Sequence, residues 1–317
     1  MIATPARFEP FNEAHGPNGA GESVNRILVT GASGFIGSHV VQTLKALGPF
    51  QITATGRNQE QLATLGVPWV AVDLHDRPKD LFARLGEPEL LIHLAWPDLS
   101  SYRDPIHIER HLMDSYRFVL QMAEAGAQRI ACVGTCYEYG LQDGCLHEGL
   151  PTAPVTAYGI AKDCLRRMLE FRLSTSSAEL RWLRPFYTYG PGQQKRALIP
   201  QLDRAIDAGH EQFPMSGGEQ IRDYMEVSDL ASAIAKVALQ SAHSGVFNIC
   251  SGQPISVREL VERHINRRQS QIRPDFGHYG YPSHAPMNFW GDTTRLNAAL
   301  DAWAEGKDQS QQAHCEG

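Results

Sequence analysis

The sequence is short of three things, and each shortage removes a class of function. It contains no run of about 18 or more apolar residues, so no segment is built to cross a bilayer as a helix. It has no excess of positive charge: 29 Lys and Arg stand against 35 Asp and Glu, for a formal net charge of −6. A nucleic-acid surface needs a basic face, so nucleic acid is not an expected partner. Cysteine is sparse, at 6 in 317 residues, and no two are spaced as C-x-x-C. A disulfide framework is therefore not encoded, and reduced thiols in the cytoplasm are expected. Residues 1–24 are polar, rich in Gly and Pro, and lack the apolar core of a signal peptide, which predicts a flexible leader.

What is present is a strand–helix rhythm. Arg26–Thr30 (R-I-L-V-T) is a short continuous apolar run, the pattern of a strand buried on both faces of a parallel sheet. Further strands are expected at 51–55, 69–72, 90–95, 129–134, 180–183 and 246–249. Helical spacing covers 36–47, 106–125, 158–173, 226–239 and 257–265. Strands alternating with helices in this way predict an α/β fold with a doubly wound parallel sheet, a Rossmann architecture. The rhythm breaks after Gly190, and residues 273–291 read as loop. The expected division is a dinucleotide-binding domain over 25–190, with 225–250 returning to it, and a smaller substrate lobe from 191–224 and 251–317.

The first strand runs directly into Gly31-Ala32-Ser33-Gly34-Phe35-Ile36-Gly37, and a helix follows. Glycines permit a tight turn and close approach of backbone to a pyrophosphate. The helix start adds free amides and a partial positive charge. The turn therefore predicts a dinucleotide site contributed by Gly31, Ser33, Gly34, Phe35, Ile36 and Gly37. After the second strand comes Thr55-Gly56-Arg57-Asn58, without the carboxylate that binds a ribose 2′-hydroxyl. Arg57 suits a 2′-phosphate, so NADP is favoured over NAD. Asp73 and Leu74, after the third strand, are placed near the adenine.

Tyr158 and Lys162 stand at i and i+4 on one helix face. An ammonium beside a phenol is expected to lower the phenol pKa and suit it to proton transfer. Thr135, at the end of the strand before, offers a hydroxyl to a substrate oxygen. Tyr137, Tyr139, Tyr187 and Tyr189 are candidates for lining a sugar pocket. His107 and His111, also at i and i+4, lack a third ligand and are expected to be solvated, with no metal site.

Taken together, Thr30–Gly37, Asp73-Leu74, His93-Leu94-Ala95, Thr135 in G-T-C-Y-E-Y-G, Tyr158–Lys162, R-P-F-Y-T-Y-G-P from Arg184, I-R-D-Y-M-E-V-S-D from Ile221 and the stretch from Asn248 to Gly252 resemble the extended short-chain dehydrogenase/reductases, the NAD-dependent epimerase/dehydratase family acting on nucleotide sugars. The resemblance implies Tyr158 as general acid/base, Lys162 on the nicotinamide ribose, and Thr135 holding the reacting oxygen. It also places Leu94 and Ala95 at the cofactor, Arg222 on the substrate diphosphate and Leu198 beside the nucleotide. Trp96 replaces a small residue and is expected to wall the pocket; Tyr187 stands where the family often has Asn. Cys136 and Tyr137 occupy positions at which the 4,6-dehydratases carry an acid and a base, which argues against dehydration. The expected activity is reduction of a 4-keto sugar nucleotide by NADPH; the alternatives are an NAD(P)-dependent epimerase and a catalytically silent cofactor-binding protein. A homodimer is the family expectation.

Overall fold

The computed structural model describes residues 24–281 and 285–315, with side chains to Lys307. The expected leader falls, but for its last residue, outside the described residues. Seven strands form one parallel sheet in the spatial order Gly245–Ile249, Glu179–Pro185, Arg129–Val133, Leu90–His93, Arg26–Thr30, Gln51–Gly56 and Trp69–Ala71. The chain order reverses direction between Arg26–Thr30 and Leu90–His93. At such a switch point the connections leave to opposite sides and open a crevice beyond the carboxyl ends of the strands.

Both faces of the sheet are covered, which is why its central strands are apolar without alternation. Leu90–His93 is buried at every position. On one face the helices Phe35–Leu47 and Val227–Leu239 pack through Val40, Val41, Leu44, Leu230 and Ile234. A helix that the sequence reading did not anticipate, Thr294–Cys315, adds Leu296 and Ala299 to the same cluster. On the other face, the helices Leu112–Ala125 and Ala157–Leu173 bury Phe118, Val119, Leu165 and Leu169 against Leu28, Leu91 and Ile130.

A second lobe is built around Leu202, Phe213, Val257, Val261 and Ile265. Its small sheets pair Ile221–Glu226 with Tyr187–Tyr189 and Pro254–Ser256, and Gln212–Pro214 with Arg273–Asp275. The stretch 273–291, read from sequence as loop, thus holds two short strands, the second being Phe289–Gly291 paired with Gly144–Leu146. Three-residue strands in a Pro- and Gly-rich stretch leave no local periodicity to detect. Asp223 ties this lobe to the sheet: its carboxylate accepts the N–H of Ser251 (2.8 Å), the N–H of Gly252 (2.8 Å) and the Ser251 hydroxyl (2.6 Å).

Candidate active site

The crevice at the switch point is a cavity of about 730 Å³ that runs from the glycine turn to Tyr158 and on to Tyr187. Gly31 adopts φ +66°, and a Cβ there would lie 2.7 Å from the Ala95 amide nitrogen. At Gly37 a Cβ would lie 2.1 Å from the Gly31 carbonyl oxygen. Glycine is thus required for the turn to nest between the strand ends and the following helix. That helix starts at Phe35 after Gly34, which supplies no side-chain cap. Its first-turn amides have no intrahelical acceptor, and they open onto the cavity through Phe35, Ile36 and Gly37. An anionic pyrophosphate fits such a cradle.

Beneath the turn, the Thr30 hydroxyl accepts the Ala95 N–H (3.2 Å) and bonds His93 Nδ1 (2.9 Å). His93 is fully buried, and desolvation pulls its pKa down to about 3, so it is a neutral ring that braces the strand ends. At the outer end of the cavity Arg57 is exposed, while Asp73 accepts the His75 N–H at 2.9 Å. All the residues expected at the cofactor from sequence, including Leu74, Leu94 and Ala95, line this one cavity.

Thr135, Tyr158 and Lys162 meet in its middle. Thr135 ends its strand in extended geometry and caps a short turn, Cys136–Tyr139. Glu138 reaches back to accept the Thr135 N–H (2.9 Å), while the Thr135 hydroxyl accepts the Tyr137 N–H (3.3 Å), a reciprocal capping box. The helix carrying Tyr158 and Lys162 begins at Thr156, whose hydroxyl caps the Gly159 N–H at 3.1 Å. It comes so close to the Thr135 turn that a Cβ at Gly159 would lie 2.9 Å from the Tyr137 carbonyl oxygen. The glycine between Tyr158 and Lys162 therefore serves to bring the helix up to the threonine.

Tyr158 is buried beside Thr135, and burial pushes its pKa well above the usual tyrosine range. This overturns the expectation of a lowered phenol. The Lys162 ammonium lies 6.0 Å from the phenol ring centre and donates instead to the Val133 carbonyl at 2.6 Å. Burial pulls the lysine itself down to about 8. Near neutral pH the site therefore holds a neutral phenol, ready to give a proton, beside a lysine that is still charged.

The residues expected at the substrate divide into two groups. Trp96, Tyr137 and Tyr187 line the cavity, and the two phenol oxygens are 3.0 Å apart. Arg222 and Leu198 are not among the residues that line it. Arg222 is buried, donates to the carbonyls of Ile221 (2.8 Å) and Met287 (3.0 Å), and stacks on Phe289 behind Tyr187. Leu198 packs into the second lobe. Tyr139 turns away, donating to Asn248 Oδ1 at 2.8 Å. The residues after Thr135 are no acid–base pair: burial pushes the Cys136 thiol up to about 12 and raises Tyr137 too.

His107 and His111 correct the expectation of solvated rings. Both are buried, His107 completely. They open the long helix on a π turn, His107–His111, a wide turn that is frequent at functional sites. His107 Nδ1 accepts the Trp96 indole N–H at 3.1 Å, and His111 bonds Asp98 at 2.9 Å. Among the described residues no group of His, Cys, Asp and Glu is placed to hold a metal. Tyr102, which sequence reading missed, stacks on Tyr158 with ring centres 5.2 Å apart, and its carbonyl accepts the Tyr158 N–H. It lies in an irregular loop, where no periodic pattern marks it.

A glycine turn at the switch point, joined by one cavity to a Thr–Tyr–Lys cluster, defines a dinucleotide-dependent oxidoreductase site. Comparison with known proteins agrees. The NAD dependent epimerase/dehydratase family matches residues 27–250. A dTDP-6-deoxy-L-talose 4-dehydrogenase (NAD(+)) from Aggregatibacter actinomycetemcomitans is 33% identical over 268 residues, covering 84% of this chain and 98% of that protein. A GDP-6-deoxy-D-talose 4-dehydrogenase from the same organism is 25% identical over 266 residues, or 78% and 82% of the two chains. Among solved structures, MoeE5 in complex with UDP-glucuronic acid and NAD superposes with a TM-score of 0.75 at 26% identity, covering 88% of this chain and 93% of that one. The chain belongs to the NAD-dependent epimerase/dehydratase family and is an enzyme of that class.

Proposed function

We propose that this enzyme reduces the 4-keto group of a 6-deoxyhexose nucleotide, with Tyr158 as proton donor. One observation supports this reading: Tyr158 is a buried phenol, its pKa raised by burial, beside Thr135 where the cofactor cavity meets the tyrosine-lined pocket. A nicotinamide cofactor held by the glycine turn from Gly31 to Gly37 and by Lys162 would supply the hydride for C4. Thr135 and Tyr158 would hold the carbonyl oxygen between two hydroxyls, with Tyr158 giving its proton to that oxygen. Lys162, still cationic below pH 8, favours the phenolate that this transfer leaves. Cys136 and Tyr137 stay protonated near neutral pH, which leaves no acid–base pair next to Thr135 for eliminating water.

The two 4-dehydrogenase relatives support chemistry at C4 of a 6-deoxy sugar. For the cofactor, exposed Arg57 at the cavity end supports NADPH; the printed NAD(+) of the talose dehydrogenase favours NADH as the second reading. An epimerase, which would oxidise and reduce the same carbon with a retained cofactor, is supported by the family description. Incubation with a dTDP- or GDP-linked 4-keto-6-deoxyhexose and either NADPH or NADH tests all three. Stoichiometric loss of reduced cofactor with formation of the 4-hydroxy product is expected. Isomerisation of a 4-hydroxy sugar nucleotide without net cofactor turnover would establish the epimerase instead, and tight cofactor binding with neither reaction the silent binder.

We also place the enzyme in the cytoplasm as a homodimer. Ile160, Cys164 and Met168 are only partly buried, and Phe171 beyond them is 83% exposed, forming an apolar stripe on the helix Ala157–Leu173. Sedimentation of Phe171→Glu against the natural chain tests it; a dimer that dissociates is the expected outcome.

A further inference from the structure

Among the described residues no carboxylate pairs with Lys162, and the one hydrogen bond its buried ammonium makes is to the Val133 carbonyl. Glu138, a buried acid whose charge reaches Lys162, is already engaged by Trp182 and Arg184. The Cys132 thiol beside it is held neutral by burial. What does face the ammonium is the indole of Trp96, whose ring centre lies 4.0 Å away. An aromatic face attracts a cation through its quadrupole while carrying no net charge.

The indole is itself fixed from behind. Its N–H donates to His107 Nδ1 at 3.1 Å, and His107 Nε2 then bonds the Ser101 carbonyl at 2.9 Å. The imidazole is thus the neutral ring with its proton on Nε2, facing the carbonyl. His107 lies nearly parallel to the indole (25°), and His111 meets it edge-on (76°), so the π turn grips Trp96 with two rings. We propose that Trp96 is a positioning residue that holds the Lys162 ammonium on its face, anchored in turn by His107. This rests on the reading of Lys162 as part of the reaction centre. A carboxylate in the place of Trp96 would hold the lysine as tightly but would oppose the phenolate that Lys162 has to favour; a neutral π face holds it without that penalty.

The groups facing Lys162 are Cys132 and His93 from the strands, Glu138 from the Thr135 turn, Tyr158 on its own helix, and His107 and His111 behind the indole. Of these, the indole can be weakened without changing its shape. The full-length protein, labelled with 13C at lysine Cε, is prepared with ordinary, fluoro- and trifluorotryptophan, and Lys162 is assigned by its loss in Lys162→Met. Its titration midpoint is expected to fall stepwise with fluorine content, by about one pH unit in all. In Trp96→Leu the same fluorine series should leave it fixed. A Lys162 midpoint independent of fluorination in the natural sequence overturns the proposal. So does one that still falls in Trp96→Leu, since the effect then arises at another tryptophan such as Trp182. The titration needs neither substrate nor turnover, so it stands apart from the proposed activity. The alkaline limb of kcat/KM should move with it; a midpoint that moves while that limb stays fixed leaves the placement intact and counts against Lys162 as a participant in the reaction.

Discussion

Lys162 and Arg184 are both 2% exposed, and the fold treats them oppositely. Arg184 donates to the Glu138 carboxylate at 2.7 Å and lies over the Tyr139 ring, 4.7 Å from its centre. Burial pulls its pKa down, but the Glu138 charge more than reverses this, leaving it above the ordinary arginine value. Lys162 receives a carbonyl and an indole face, and burial prevails. Burying an ion is costly unless it is paired. The paired cation builds the floor under Thr135; the unpaired one is left with a field that a reacting oxygen can use. The same few ångströms of protein hold one charge for structure and another for chemistry.

Tyr158→Phe probes the chemical side with the largest expected effect. Turnover should fall by about a thousandfold, within the span of general acid catalysis, with cofactor affinity in a binding titration nearly unchanged. A variant that keeps most of its activity would mean that another group gives the proton. Glu138→Ala breaks the structural side by leaving Arg184 and the Trp182 indole N–H buried without a partner. Denaturant unfolding should record a loss of about 3–5 kcal/mol. A loss near zero would show that water enters to accept the hydrogen bonds of Arg184 and Trp182.

Lys162→Met should do the reverse, abolishing activity while stabilising the chain. The lysine titrates near 8 in the fold, against 10.5 for the free side chain. The unfolded chain therefore binds more protons between those values, and the natural protein gains stability from this group as pH rises from 8 to 10.5. Below pH 8 the full cost is present, and removing it is worth on the order of 2–3 kcal/mol. The gap between variant and natural protein should close across that window; a gap constant with pH would assign the gain to packing. The smallest effect concerns a third cation, the exposed Arg57. Gly56→Asp places a carboxylate beside it and should move the NADPH-to-NADH affinity ratio about tenfold towards NADH. An unchanged ratio removes Gly56 and Arg57 from cofactor choice.

Legibility in the sequence follows the range of the interactions. Arg26–Thr30 was readable residue for residue, and the helix Ala157–Leu173 to within one, because apolar runs and caps are local. The glycine turn and the Tyr158–Lys162 spacing are local as well, and the structure puts them on one cavity. What failed depends on contacts across the chain. The phenol pKa is not legible because Tyr158 is buried by long-range packing, and Lys162 bonds Val133, 29 residues away, rather than the tyrosine. His107 was misread because its partner, Trp96, lies in a loop and its helix opens on a π turn.

The capping box at Thr135 has a consequence for how such a site diversifies. Thr135 and Glu138 lock the turn from its two ends, and Glu138 is bolted to Trp182 and Arg184. Cys136 and Tyr137 between them face the cavity yet contribute only backbone to the lock. They form a two-residue socket within a rigid frame, where one chemistry can be exchanged for another while the threonine keeps its place.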